Sequence, residues 1–179
     1  MVSAWPSPPW RGLTGASRRG GRGLVLTPDF LAEVSDVFEH QRHNLGDRPL
    51  VNVYLARERA RHGDCDEAIP LMRAAVDQLV HERQLLAWGT PTTGVLVEAL
   101  LDRAADGDVT EAEAAIERLA AAPADDGLVM REIWLLRLRA LLARAHGDEV
   151  TYRSFADRYR TMAKSLGFEG HMAWARAMP

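Results

Sequence analysis

The stretch GDCDEAIPLMRAAV, residues 63–76, has the form of a joint between two helices. Its glycine suits the left-handed backbone position that closes a helix, and its first aspartate can accept hydrogen bonds from the amides that open the next helix. The beginning of the stretch recurs as GDVTEA from Gly107 and as GDEVTY from Gly147, at intervals of about 44 and 40 residues. Such intervals are typical of helical repeats, so the sequence predicts an all-α chain built from helix pairs.

The acidic residues at each joint are predicted to cap the helix that follows. Asp64, Asp108 and Asp148 each come directly after a joint glycine. Glu67 and Glu111 follow three residues after their aspartates, which is the spacing of a capping box.

The residues after each joint form an apolar helical face. Positions five, nine and twelve residues after the glycine share one side of a helix, and they are Ala68, Met72 and Ala75 after the first joint and Ala112, Ile116 and Leu119 after the second. The third joint departs from this pattern with Tyr152, Ala156 and Tyr159, so the last helix pair is expected to pack at wider spacing or to use these aromatics to close the stack. The predicted helices span 50–62, 65–84, 92–105, 109–122, 128–146 and 149–166, with a short one at 169–177 and an earlier one from Thr27 to about Asn44. Strand-like alternation is not sustained in any segment.

Composition divides the chain into two parts. Residues 1–26 hold four arginines, several prolines and glycines and no acidic residue, whereas the whole chain has a formal net charge of -3. Such a segment buries too little apolar surface to offset the entropy of ordering, so residues 1–26 are predicted to be disordered. Residues 27–179 are predicted to form one helical-repeat domain.

The same composition limits the classes of partner that the chain is expected to bind. A net charge of -3 gives no general attraction to nucleic acid, and the chain has no apolar run of 18 residues that could cross a membrane. No apolar core of seven or more residues follows its first basic positions, so a secretory signal is not expected, and its single cysteine cannot form an intramolecular disulfide. We therefore predict a cytoplasmic protein with a protein partner, while RNA binding by the Arg-Gly tail is the weaker alternative.

The joint and its flanks resemble the tetratricopeptide repeat. Leu55, Gly63, Ala68 and Ala75 stand where that family has its leucine, its turn glycine and its packing alanines, whereas Arg59 replaces the usual aromatic residue. The resemblance implies a right-handed solenoid of antiparallel helix pairs, with about seven helices and a short terminal one.

Longer segments resemble the carboxy-terminal region of large mycobacterial proteins that join a nucleotide cyclase domain, an ATPase domain and a helical-repeat tail. These segments are LVNVYLARERARHGDCDEAIPLMRAAVDQL, TTGVLVEALLDR, EAEAAIERLAAAP and YRSFADRYRTMAKSLGFEGHMAWARAMP. The resemblance covers roughly residues 30–179 and is most distinctive in GFEGHMAWARAMP. It implies that the chain is a truncated or detached repeat part of a signalling protein.

The motifs of a cyclase or an ATPase are nevertheless missing. The only lysine, Lys164, stands in MAKSLG, outside any glycine-rich phosphate loop, and no strand region could hold paired metal-binding aspartates. His40 and His43 have the spacing of metal ligands but lack a third ligand, so a solvated helix end is the favoured interpretation. His171 beside Trp174 is interpreted as packing. We predict no catalytic, cofactor or metal residue.

A solenoid usually binds its partner on the concave face formed by the first helix of each pair. The predicted groove positions are Val53, Arg57, Arg61, Val97, Leu101, Arg137 and Arg144. This groove would have basic ends and an apolar centre, which suits an acidic, partly hydrophobic peptide or a neighbouring domain. Charge reversal at Arg57 and Arg137 is then expected to abolish binding of the partner. If these arginines instead lie on a solvated face that binds no partner, charge reversal would leave binding unchanged.

These observations predict a non-catalytic module for protein–protein or interdomain contacts. The alternative is an interaction or sensor domain of a transcriptional regulator, because related repeats accompany DNA-binding helices, although the sequence offers no basic recognition helix of its own. A homodimer is also possible on this interpretation, because the ends of a helical stack need capping.

Overall fold

The computed structural model describes residues 48–123 and 128–178, and all regular elements within these ranges are helical. The helices are α1 (Arg48–Arg61), α2 (Cys65–His81), α3 (Thr90–Arg103), α4 (Asp108–Ala121), α5 (Val129–Ala145), α6 (Glu149–Leu166) and α7 (Glu169–Ala177). The predicted all-α class is confirmed for this part of the chain. The predicted tail 1–26 and the predicted helix from Thr27, with His40 and His43, lie outside the described residues.

Each of the seven helices begins and ends within three residues of its predicted bounds. The largest difference is at the end of α2, which was expected to reach residue 84 but ends at His81. There Arg83 takes the left-handed backbone conformation with φ 58°, and the amide of Gln84 donates to the carbonyl of Leu79 at 2.8 Å. A π-helical turn, Leu85–Gly89, then leads into α3. This helix end could not be predicted from the sequence, because glycine normally occupies the position that Arg83 takes here.

The three joint glycines adopt the backbone conformation that the sequence predicted. Gly63, Gly107 and Gly147 have φ angles of 106°, 86° and 74°, which side chains with a Cβ rarely adopt. The helices that they connect, α1 with α2, α3 with α4 and α5 with α6, are in contact. The recurring Gly-Asp stretch therefore marks three turns between packed helices.

The predicted aspartate caps are confirmed at one joint. Asp148 accepts a hydrogen bond from the amide of Thr151 at 3.0 Å and so caps α6. At the first joint the Asp64 side chain makes no capping bond, and its own amide donates to the carbonyl of Arg59 at 3.2 Å. The capping box predicted with Glu67 is therefore wrong, because the previous helix already satisfies the amide that Glu67 was to bind.

The second joint uses its acidic residues for ion pairs. Asp108 is buried inside the first turn of α4, where the two nitrogens of the Arg103 guanidinium donate to its carboxylate at 2.7 and 2.9 Å. That hydrogen bonding holds the pKa of Asp108 below its ordinary value. Glu111 pairs with Arg73 of α2 at 2.5 and 2.6 Å. The capping predictions for Asp108 and Glu111 were wrong because nearby arginines compete for both carboxylates.

Helix α3 lies at the centre of the packing, since it contacts α1, α2, α4 and α5. All nine predicted face positions after the joints are buried. Helix α7 packs on α6. The antiparallel, right-handed solenoid implied by the tetratricopeptide resemblance stays a prediction.

Helices α3 and α5 approach closely where Gly94 faces Trp134. A Cβ at Gly94 would stand 2.6 Å from Cε3 of Trp134 and closer still to Cζ3. We expect Gly94→Ala to lower the free energy of unfolding by about 1–2 kcal/mol, because the overpacking cost exceeds the gain in helix propensity. Urea denaturation measures the change. Gly170→Ala is the matched control, since a Cβ at this helical glycine meets no atom within 4 Å; equal effects of the two substitutions would contradict the prediction.

Candidate functional site

A charged cleft of about 100 Å³ lies where α1 faces α3. The α1 side carries Arg57 and Arg61, and the α3 side carries Glu98 and Asp102. Residues four apart on a helix point the same way, so the cleft has a cationic row and an anionic row, each one helical turn long. The structure therefore places Arg57 and Arg61 side by side in one cleft, opposite two carboxylates that the sequence analysis missed.

The apolar members of the predicted groove contribute no surface to a partner. Val53 and Val97 have no exposed area, and Leu101 is 4% exposed. These side chains are part of the core because α1 and α3 pack directly on each other. The expectation of an accessible apolar centre at these three positions is corrected accordingly.

Arg137 is also buried, with 8% of its surface exposed. It forms an ion pair with Glu98 of α3, and its guanidinium lies 4.6 Å from the ring centre of Trp174 and 5.6 Å from that of Trp134. Burial acts to lower the pKa of Arg137, but the charge and hydrogen bond of Glu98 outweigh it and raise that pKa above its ordinary value. Arg137 is therefore not an accessible groove residue, and reversing its charge would test folding rather than binding.

The remaining predicted arginine belongs to another part of the molecule. Arg144 lies near the end of α5, with its guanidinium 5.8 Å from the ring centre of Tyr152 on α6. The seven predicted positions thus divide into the cleft arginines, the core residues and this arginine against α6.

Glu98 connects the cleft to the interior. One carboxylate oxygen faces Arg57 at 3.9 Å, and the other binds Arg137. Through Arg137 the contacts continue to Trp174 of α7. The two ends of the described chain are thereby joined by one series of charged and aromatic contacts.

His171 stands at the centre of an aromatic cluster. Its ring lies 5.4 Å from Trp134, 5.1 Å from Trp174 and 6.1 Å from Phe168, and its Nδ1 is 2.9 Å from the hydroxyl of Tyr159. The Tyr159 hydroxyl also donates to the carbonyl of His171 at 3.2 Å. Both contacts are satisfied when Nδ1–H donates to the hydroxyl oxygen, which the neutral ring can do as its Nδ1-protonated tautomer. These contacts agree with the packing role expected for His171.

Burial sets the protonation of this cluster. It lowers the pKa of His171 to about 4, and the charge of Arg137 acts in the same direction, while Glu98 opposes it. Burial also raises the pKa of Tyr159. Both side chains are buried, and neither lines the charged cleft.

Across residues 48–123 and 128–178, histidine, cysteine and acidic side chains do not gather in groups of three that could hold a metal ion. Among the described helices, none combines the length and apolarity required to span a bilayer.

Comparison of the chain with protein families, with curated proteins and with solved structures gives no match.

Proposed function

We propose that the chain is a non-catalytic interaction module that binds a protein segment or a neighbouring domain at the α1/α3 cleft. The observation that carries this proposal is the partly exposed charged lining. The side chains of Arg57, Arg61 and Glu98 are 25%, 29% and 15% exposed, so they combine a defined position with access to a partner.

The cleft also defines the chemistry of that partner. Acidic groups of the partner would bind Arg57 and Arg61, as the sequence predicted for an acidic peptide. Glu98 and Asp102 on the opposite side favour basic groups next to those acidic ones. Because the expected apolar centre contributes no surface, binding would depend mainly on charge and would weaken as salt increases.

The resemblance to cyclase–ATPase signalling proteins extends this proposal. In that setting the partner would be a cyclase or ATPase domain, and the module would supply a contact rather than a reaction. An adjacent coding sequence for such a domain would support this extension. Formation of cyclic nucleotide from ATP or GTP by the purified chain would contradict the non-catalytic assignment.

Binding can be tested with three labelled peptides of equal length: one acidic, one with alternating acidic and basic residues, and one basic. We expect the alternating peptide to bind most tightly and the basic peptide most weakly in fluorescence anisotropy. Reversing the charges of Arg57 and Arg61 to glutamate is expected to weaken binding of the acidic and alternating peptides at least tenfold, because each lost charge-assisted contact contributes about 1.5–3 kcal/mol.

For each single reversal, Arg57→Glu or Arg61→Glu, the matched control is Arg59→Glu, which makes the same change of charge at an exposed position of α1 outside the cleft. Equal weakening by the control would mean that net charge, and not the cleft, determines binding. Absence of binding by all three peptides at low salt would reject the proposed partner chemistry.

A further inference from the structure

Helix α7 is attached to the rest of the fold by one narrow face. His171, Trp174, Ala175 and Met178 recur at the spacing of a single helical face, and all four are buried or partly buried. The other positions from the middle and ends of the helix are exposed, namely Glu169, Gly170, Ala173, Arg176 and Ala177. The docking of α7 therefore depends on a few side chains.

His171 is the buried polar side chain of this face, with 6% of its surface exposed. Its Nδ1 lies 2.9 Å from the hydroxyl of Tyr159 on α6. Its ring centre lies 5.4 Å from that of Trp134 on α5. One imidazole thus connects α7 to both helices beneath it.

The charges on the α5 side of His171 disfavour an imidazolium. The Arg137 guanidinium lies 5.6 Å from the ring centre of Trp134 and 4.6 Å from that of Trp174. Both indoles also contact the imidazole, so the two groups share one enclosure. Glu98 of α3 acts in the opposite direction, but Arg137 already binds its carboxylate.

The groups on α6 and on α7 itself add no buried negative charge near the imidazole. The Tyr159 hydroxyl is neutral, because burial raises its pKa. Arg160 donates to a backbone carbonyl just after α7 at 3.0 Å. The charged residues of α7 are Glu169 and Arg176, and both are exposed. A proton on the buried imidazole would therefore place a second positive charge beside Arg137, whereas the same proton is well solvated once α7 has left.

The position of α7 in the chain allows it to leave alone. It follows α6 after Gly167 and Phe168, and no described helix comes after it. Elements at the edge of a fold with few buried side chains open at a lower free energy than the whole domain. The contacts among α1 to α6 do not pass through α7.

We infer that α7 is a latch whose release from α5 and α6 is driven by protonation of His171, while the other six described helices stay folded. Release would expose Trp134 and Tyr159, which are 5% and 0% exposed in the docked form. Acid would thereby uncover an aromatic surface that is closed at neutral pH. Such a latch does not depend on peptide binding at the α1/α3 cleft.

Hydrogen exchange of the full chain at pH 7 and pH 5 tests the latch, with each amide corrected for its intrinsic exchange rate at that pH. We expect the amides of α7 to be at least tenfold less protected than those of α4 at both pH values, because α7 opens alone. Their protection should fall at least tenfold from pH 7 to pH 5. At pH 5 a released histidine, with a pKa of about 6.5, is mostly protonated, while exposed carboxylates remain mostly ionised.

Two substitutions separate His171 from other titrating groups. In His171→Gln the protection of α7 should change less than threefold between the two pH values, because glutamine does not titrate. His146→Gln is the matched control, since it removes an exposed histidine at the end of α5, and it should retain the full tenfold change.

A second measurement requires no substitution at the latch. The NMR titration of the His171 ring in the natural chain should have its midpoint below the value of about 6.5 for an unfolded histidine. A midpoint at or above that value would overturn the latch, even if His171→Gln leaves α7 undocked at pH 7.

The exchange experiment can contradict the latch in two further ways. Equal protection of α7 and α4 at both pH values would show that the two helices open together. A tenfold loss of α7 protection that persists in His171→Gln would show that another group drives the release. Neither result bears on the peptide experiment, which decides the proposed function separately.

Discussion

Arg137→Met is expected to lower the free energy of unfolding by about 3–5 kcal/mol. The substitution removes the main cationic partner of the Glu98 carboxylate, which is mostly buried and would be left with its charge poorly compensated. Arg57 compensates little, since it stays 3.9 Å from the other carboxylate oxygen. The guanidinium also lies against Trp174, so its loss removes a cation–π contact. Urea denaturation at neutral pH measures the effect.

Two further variants isolate the role of the buried charge. Replacing both partners, Arg137→Met with Glu98→Gln, is expected to restore part of the lost stability, because no unpaired carboxylate then remains. Arg153→Met removes a guanidinium from an ion pair with Glu149 that is largely exposed, and it is expected to cost less than about 1 kcal/mol. An Arg137→Met cost as small as that of Arg153→Met would contradict the prediction.

Acidification is expected to destabilise the protein through His171. The pKa of this buried imidazole is lowered to about 4, whereas an unfolded histidine has a pKa near 6.5. The unfolded chain therefore binds the proton first, and the contribution of His171 to stability is complete above about pH 6.5 and is lost as the pH falls toward 4. The loss approaches about 3 kcal/mol, since each pKa unit corresponds to about 1.4 kcal/mol.

The measurement is the free energy of unfolding in urea at several pH values from about 7 to 4, for the natural chain and for His171→Gln. The slope with pH across this range should be smaller in the variant, because glutamine does not titrate. Carboxylates such as Asp108, which has a lowered pKa, also contribute to the pH dependence. They contribute equally in both proteins, so comparing the two slopes removes their contribution. Parallel slopes for the two proteins would exclude His171 as the origin.

Much of the fold could be predicted because its signals are local. A left-handed glycine followed by an apolar face of helical period determines where one helix ends and which side of the next is buried, and both need only adjacent residues. The joints at Gly63, Gly107 and Gly147 behave in this way. The cap at Asp148 is also local, as it satisfies an amide three residues later.

The incorrect predictions share a non-local cause. Asp108 looked like a cap, but Arg103 from the preceding helix occupies its carboxylate. Arg137 looked like a surface residue, but its partner Glu98 is 39 residues away in the sequence. Which arginine meets which carboxylate depends on how the helices pack, and a repeat pattern does not specify this.

The cleft itself lies between these cases. Arg57 and Arg61 were found from their positions on the first helix, whereas Glu98 and Asp102 have the same four-residue spacing on α3 and were overlooked. A search for matching charge spacing on helices that occupy equivalent repeat positions would have found them. The burial of Val53 and Val97 could not be found this way, since valine is compatible with either side of such a helix.

The contact between Trp174 and Arg137 affects an ion pair that borders the first helix. The ring of Trp174 keeps water from the guanidinium, and water at that point would loosen the hold of Arg137 on Glu98. A contact made by α7, the last described helix, therefore supports an ion pair that borders a cleft on α1, the first described helix.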